Sequence, residues 1–126
     1  TQDSSGKIVK AIYRKSQRQI DNYLQWACFK EAEYRCQYCY REGIPLTVDH
    51  CDLWENGGVT AKVNLIVACR QCNKDRGRME YEDWINSDSY KRKSVNLPEE
   101  IKQKNIDKIQ QLPHLRTLRV THIRSR

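Results

Sequence analysis

The stretch that decides the fold runs from residue 36 to residue 73 and reads CQYCYREGIPLTVDHCDLWENGGVTAKVNLIVACRQCN. Two C-x-x-C pairs, Cys36/Cys39 and Cys69/Cys72, stand at its ends and are separated by 29 residues. Each pair can place two thiolates on one tetrahedral ion, but the interval is longer than a simple zinc ribbon requires. The intervening residues must therefore hold structure of their own. We interpret the four cysteines as ligands of a structural Zn²⁺ ion.

The cysteine content also bears on the compartment. The chain has six cysteines, which in a secreted protein could pair as three disulfides. The C-x-x-C spacing favours metal binding instead, and metal-bound thiolates are typical of a reducing compartment. The sequence shows no signal-peptide pattern and no apolar run near the ~18 residues of a membrane span. We therefore expect an intracellular, cytoplasmic protein with no membrane partner.

Charge is distributed unevenly along the chain. The net charge is +7, and 38% apolar against 31% charged residues predicts one domain with a lean core. Residues 1–20 carry +4, residues 21–90 carry −4, and residues 91–126 carry +7. A slightly acidic centre between two basic ends is typical of a core flanked by phosphate-binding arms. This pattern favours a nucleic-acid partner, although basic ends can also serve only solubility.

The central stretch predicts a strand, a loop, a second strand and a helix. Leu46–Val48 reads as a short strand that delivers Asp49 and His50 at its end. A loop that contains Gly57 and Gly58 follows, and residues 64–68 read as the second strand. The next helix is expected to begin at Cys69 and to end near Gly77, with a further turn through Trp84.

The flanking segments predict further helices. Apolar positions recur at helical spacing between residues 7 and 30. Near the C-terminus, Pro98 followed by two glutamates predicts a helix start, and the apolar stripe is expected to end before Pro113. The last segment, from residue 114 to residue 126, reads as a strand or an extended arm.

The central motifs together resemble a known family. Between the C-x-x-C pairs stand Asp49-His50, a Gly-Gly pair and Asn64-Leu65, and Asn73 directly follows the second pair. In this order and at these intervals they resemble the HNH endonuclease family over about residues 33–84. The resemblance implies a small α+β fold with a ββα-metal (HNH, His-Me finger) core, flanked by N- and C-terminal helices. We divide the chain accordingly into a basic helical arm (1–32), the nuclease core (33–84) and a basic C-terminal helix and tail (85–126).

The resemblance also implies a role for each motif residue. His50 matches the general base, and a neutral imidazole accepts a proton near pH 7. Asp49 and Asn73 match the ligands of the catalytic ion, and such oxygen ligands suit Mg²⁺ or Mn²⁺. Asn64 matches the residue that holds the loop and the base in position. One departure is Leu53, where many family members have proline, which leaves this loop's contact with DNA open.

Basic residues that follow the motif are candidates for DNA contacts. A solvated helix face explains them nearly as well as phosphate binding does. The candidates on and near the motif helix are Lys74, Arg76 and Arg78, and those further along are Lys91, Arg92 and Lys93.

The predicted function is a metal-dependent DNA endonuclease that acts on double-stranded DNA. The family implies 5′-phosphate and 3′-hydroxyl products. Because one active site cuts one strand, double-strand cleavage requires a homodimer or two sequential nicks, and both stay open. The alternative is a non-catalytic zinc-dependent nucleic-acid-binding module. A zinc nucleobase deaminase is excluded because its H-x-E and P-C-x-x-C motifs are missing. A Cys51–His50 nucleophile is disfavoured because neighbouring strand residues face apart.

Overall fold

The computed structural model describes residues 20–119 of the 126-residue chain. Of the helical region predicted between residues 7 and 30, the part up to residue 19 lies outside the described residues. The α-helices and β-strands, in chain order, are α1 (Asn22–Glu31), β1 (Leu46–His50), β2 (Leu65–Cys69), α2 (Arg70–Arg76), α3 (Tyr81–Ile85), α4 (Asp88–Lys93) and α5 (Glu99–Thr117). Short 3-10 turns lie at Trp54–Asn56, Lys62–Asn64 and Ser94–Asn96.

The two strands form an antiparallel hairpin that leads directly into α2. Leu46 lies opposite Cys69, and His50 lies opposite Leu65. This register places the second C-x-x-C pair at one end of the hairpin and the Asp49-His50 pair at the other. The order β1, β2, α2 is the ββα arrangement, so the predicted fold class is confirmed.

The ends of α2 follow from its flanking residues. The Cys69 Sγ accepts a hydrogen bond from the backbone N–H of Cys72 and so caps the first turn. At the other end Gly77 has φ +56°, a conformation that L side chains rarely adopt, and its N–H donates to the carbonyl of Asn73. The helix predicted between Cys69 and Gly77 is therefore confirmed.

One hydrophobic cluster joins the first C-x-x-C knuckle, β2 and the helices that follow residue 80. Tyr38 from the knuckle packs edge-to-face on Trp84 at 5.4 Å and on Tyr90 at 6.0 Å between ring centroids. Leu112 and Leu115 of α5 are buried in the same cluster. The C-terminal helices thus share a core with the hairpin, while the division of the chain at residues 32 and 84 stays a prediction.

The C-terminal helix is longer than predicted. α5 continues through Pro113 to Thr117, so the predicted change from helix to a strand or extended arm after Pro113 is wrong for residues 114–117. A proline inside a helix costs about 3 kcal/mol, but burial of Leu112 and Leu115 contributes about 1.5–3 kcal/mol each. Residues 120–126 lie outside the described residues. Within residues 20–119 no helix combines the length and apolar composition needed to cross a membrane.

Candidate active site

Four cysteine sulfurs meet where the knuckle approaches one end of the hairpin. The Sγ atoms of Cys36, Cys39, Cys69 and Cys72 all lie within 4.8 Å of one another, and all four side chains are buried. A tetrahedral Zn²⁺ with Zn–S bonds of about 2.3 Å holds its sulfurs about 3.8 Å apart, and the Cys39 and Cys69 sulfurs are 3.9 Å apart. The donor set therefore fits a zinc ion, and the sequence-predicted ligands are brought together.

The surroundings of this cluster offset its negative charge. Four thiolates around one Zn²⁺ carry a net charge of −2, so nearby donors stabilise them. The Arg41 Nε donates to the Cys39 Sγ at 3.4 Å, and an Arg41 terminal nitrogen lies 3.8 Å from the Cys69 Sγ. The backbone N–H of Cys39 donates to the Cys36 Sγ. With four sulfur donors and no open position, the cluster suits a structural ion.

Asp49 lies near the opposite end of the hairpin, and both of its carboxylate oxygens accept hydrogen bonds. Oδ1 accepts from the backbone N–H of His50 at 2.9 Å, and Oδ2 accepts from the Arg76 guanidinium at 2.9 Å. The side chain is only 14% exposed. Burial raises the pKa of Asp49, while Arg76 acts in the opposite direction. The carboxylate is thus held in one orientation by a strand N–H and a helix arginine.

Arg76 is a buried structural residue. Its side chain is 1% exposed, and it donates to Asp49, to the backbone carbonyls of His50 and Cys51, and to that of Met79. The prediction that Arg76 contacts DNA is therefore wrong, because its guanidinium nitrogens donate to acceptors at the end of β1 and at Met79 and are shielded from solvent. Arg76 instead fixes α2 against the strand that carries Asp49 and His50.

The His50 imidazole and the loop after it are held by two polar side chains. The Nε2 atom of His50 lies 2.9 Å from the Thr60 hydroxyl oxygen. The Asn64 side chain is completely buried, accepts from the Asp52 N–H at 2.7 Å, and donates to the carbonyls of Asp52 and Val59. Asn64 therefore connects the two ends of the loop between His50 and Thr60. Its predicted role of holding the base in position stays a prediction.

The three residues with predicted chemical roles line one concave site. A cavity of about 260 Å³ is bounded by Asp49, His50 and Asn73, together with Trp54, Glu55 and four further residues, Ile20, Val48, Leu53 and Gly77. Asn73 reaches it from α2 and is half-buried. Within residues 20–119 the Asn73 side-chain amide makes no hydrogen bond. The sequence-predicted acid, imidazole and amide thus meet from two separate elements.

A second, more open depression adjoins this cavity. It has a volume of about 400 Å³ and is lined by Leu46, Thr47, Arg70, Asn73 and Lys74. Asn73 borders both depressions, so the two are continuous at this residue. Arg70 and Lys74 are exposed and are one helical turn apart. Neither side chain forms an ion pair within residues 20–119.

The other basic residues predicted to contact DNA are on the surface. Arg78, Lys91 and Arg92 are exposed. The ammonium group of Lys93 lies 2.6 Å from the Asp75 carboxylate, which neutralises part of its charge. Their contact with DNA stays a prediction.

Cys51 is not available as a nucleophile. The side chain is 1% exposed, and burial raises the pKa of its thiol to about 12. A protonated, shielded thiol is a poor nucleophile near neutral pH. The disfavoured Cys51–His50 reading therefore finds no support in the geometry.

Sequence reasoning missed two residues beside the site. Arg70 stands inside the second C-x-x-C pair, and its spacing of four residues from Lys74 was a usable signal for a shared helix face. Thr60 gave no such signal, because nothing in the local sequence relates a loop threonine to an imidazole ten residues earlier.

The described residues form a two-stranded hairpin followed by a helix. A four-cysteine cluster lies at one end of the hairpin, and the cavity lined by the acid, the imidazole and the amide lies at the other. This arrangement defines a zinc-type ββα-metal core. Residues 36–79 match the family model described as HNH endonuclease. Residues 36–79 are therefore similar to the HNH endonuclease family. No curated protein is significantly similar to the chain in sequence.

Proposed function

We propose that this protein is a metal-dependent DNA endonuclease that hydrolyses phosphodiester bonds to 5′-phosphate and 3′-hydroxyl ends. The observation that carries the proposal is the shared cavity of Asp49, His50 and Asn73. Hydrolysis of a phosphodiester requires an activated water and stabilisation of charge on the phosphate and the leaving oxygen. The cavity offers a base and two oxygen donors for these tasks.

The oxygen donors suit a hard divalent cation such as Mg²⁺ or Mn²⁺. Each Asp49 oxygen accepts one hydrogen bond, and because a carboxylate oxygen has two lone pairs, coordination capacity remains. Asn73 borders the same cavity, and its side-chain amide has no hydrogen-bond partner in the described part of the chain. When bound, the cation supplies charge stabilisation at the scissile phosphate.

His50 is the proposed general base. The hydrogen bond between its Nε2 and the Thr60 hydroxyl supports a role of Thr60 in orienting the ring. In its neutral form the imidazole accepts the proton of the attacking water. Such proton transfer contributes typically 10²–10⁴-fold to rate.

A plasmid-nicking assay with a Mg²⁺ titration tests the proposal. We expect cleavage that depends on added Mg²⁺, and a loss of about 10²–10⁴-fold in His50→Ala with zinc content and folding unchanged. His114→Ala is the matched control, because His114 is exposed on α5 away from the cavity.

A folded His50→Ala variant that cuts as fast as the wild type would reject the base assignment. Tight, salt-sensitive DNA binding with no cleavage at any Mg²⁺ or Mn²⁺ concentration would instead favour the non-catalytic binding module.

A further inference from the structure

The C-terminal end of the described chain contacts the loop that follows the proposed base. Arg119, the second residue after α5, directs its guanidinium at both carboxylate oxygens of Asp52. Its Nε lies 3.0 Å from Oδ2, and a terminal nitrogen lies 2.7 Å from Oδ1. This bidentate geometry is the strong form of an arginine–carboxylate pair.

The Asp52 carboxylate depends on this partner. Its side chain is 0% exposed, whereas that of Arg119 is 34% exposed. Arg119 is the one cation paired with Asp52 within residues 20–119. A buried carboxylate without a partner is costly. The conformation of the loop therefore depends on a cation supplied from outside residues 36–79.

The backbone of Asp52 is coupled to the imidazole site. Asn64 bonds both its N–H and its carbonyl. On the other side, a Cβ atom added to Gly58 would lie 1.9 Å from the Asp52 carbonyl oxygen, so the two backbones are in direct contact. His50 precedes Asp52 by two residues, and Thr60 follows Gly58 by two. A shift of Asp52 must therefore move the segments that carry both members of the His50–Thr60 contact.

We propose that Arg119 is a positioning residue of the nuclease site. By pairing with Asp52, it fixes the loop from residue 51 to residue 60 and, through that loop, the orientation of the His50 ring. This inference rests on the proposed nuclease function. It assigns a part in the chemistry to the segment after α5, beyond the family match.

The test measures kcat and KM for cleavage of a labelled DNA duplex by four variants: Arg119→Gln, Arg119→Lys, Asp52→Asn and the double variant Asp52→Asn/Arg119→Gln. We expect Arg119→Gln to lower kcat by about 10–100-fold, because small misplacements of catalytic groups have effects of this size, while KM stays within about twofold. The double variant should recover most of the loss, because it removes the unpaired buried charge.

Arg116→Gln is the matched control. Arg116 precedes Arg119 by three residues and pairs with Glu80 and Glu82 rather than with the loop, so kcat should be unchanged. Zinc content and melting temperature are measured for every variant. A role limited to stability would lower the melting temperature without changing kcat at a temperature where the variant is folded.

Three results would overturn the proposal. One is a folded Arg119→Gln variant with wild-type kcat. Another is a rise in KM with a shallower salt dependence and unchanged kcat, which would make Arg119 a phosphate contact. The third is a double variant at least as impaired as Arg119→Gln. If Arg119→Gln does not fold, kcat of Arg119→Lys tests the proposal instead. Lysine keeps the charge but loses the bidentate geometry. Wild-type kcat in Arg119→Lys would contradict the proposal.

A wild-type protein that does not cut at all would reject the proposed function. In that case the imidazole ¹⁵N signals of His50 still test whether Arg119 positions the ring. These signals should change in Arg119→Gln and not in Arg116→Gln. Unchanged signals in Arg119→Gln would refute the positioning role.

Discussion

The two ends of the hairpin differ in how completely their polar atoms are enclosed. At the end where Leu46 pairs with Cys69, four buried sulfurs surround one position and leave no open coordination site. At the end where His50 pairs with Leu65, the Asp49 carboxylate, the imidazole and the Asn73 amide border a cavity of about 260 Å³. A closed donor set suits an ion that holds the chain together. An open set with oxygen donors suits an ion that must also meet a substrate.

The closed end should show the largest effect on substitution. Cys36→Ser replaces a ligand that is completely buried in both the cluster and the core. We expect loss of bound zinc and of cooperative unfolding, because binding energy in structural zinc sites is folding energy. Circular dichroism and metal analysis measure both quantities. A variant that keeps a cooperative transition without zinc would show that the core does not need the ion. Cys28→Ser, outside the cluster, is the control.

The open end should lose metal affinity and keep its fold. Asn73→Ala removes one proposed oxygen ligand from a half-buried position on α2. We expect the Mg²⁺ concentration for half-maximal cleavage to rise by about 10–100-fold, with zinc content unchanged. Gln71→Ala on the same helix is the control, since Gln71 bonds Asp75 and does not border the cavity. An unchanged Mg²⁺ requirement would remove Asn73 from the ligand set.

The depression beside the cavity should show a smaller, salt-dependent effect. Arg70→Gln removes an exposed charge next to Asn73. We expect KM for DNA to rise several-fold and the slope of log binding constant against log salt to fall by about 0.9, the value for one lost phosphate contact. Lys102→Gln is the control, because Lys102 pairs with Glu99 on α5. Equal slopes for the two variants would exclude this depression as a phosphate path.

Cys51 should show the smallest effect, although it is adjacent to the proposed base. We expect Cys51→Ala to keep kcat within about twofold. In the wild type, the thiol should be alkylated only on unfolding, because its pKa of about 12 keeps it protonated at pH 8. A folded-state pKa above the ordinary value of 9.0 stabilises the protein at low pH, and this contribution is lost as pH rises from about 9 to 12. A large loss of activity in Cys51→Ala would support the hypothesis that Cys51 is a nucleophile.

The closed end was predictable from sequence, and the open end only in part. The two C-x-x-C pairs determine which sulfur atoms meet, and two short apolar runs and Gly77 located β1, β2 and α2 to within about two residues. The motif also placed Asp49, His50 and Asn73 around one cavity. These features depend on local spacing, which a sequence displays directly.

The errors arose where tertiary contacts override local rules. Pro113 reads as a helix end, but Leu112 and Leu115 on either side of it are buried in the core, and the helix continues. Arg76 reads as one of several surface cations, yet it is almost completely buried. The pairing of Arg119 with Asp52 joins residues 67 positions apart. No local pattern distinguishes these arginines from solvated ones.

Arg76 determines how far toward the C-terminus a fragment must extend if this core is to be grafted into another protein. A fragment that stops after Asn73 contains every named metal ligand, yet it leaves three acceptors at the end of β1, on Asp49, His50 and Cys51, without their donor. Removing one partner of a buried charge pair typically costs about 3–5 kcal/mol. Grafting the core into another scaffold should therefore carry the chain through Met79, whose carbonyl anchors the same guanidinium.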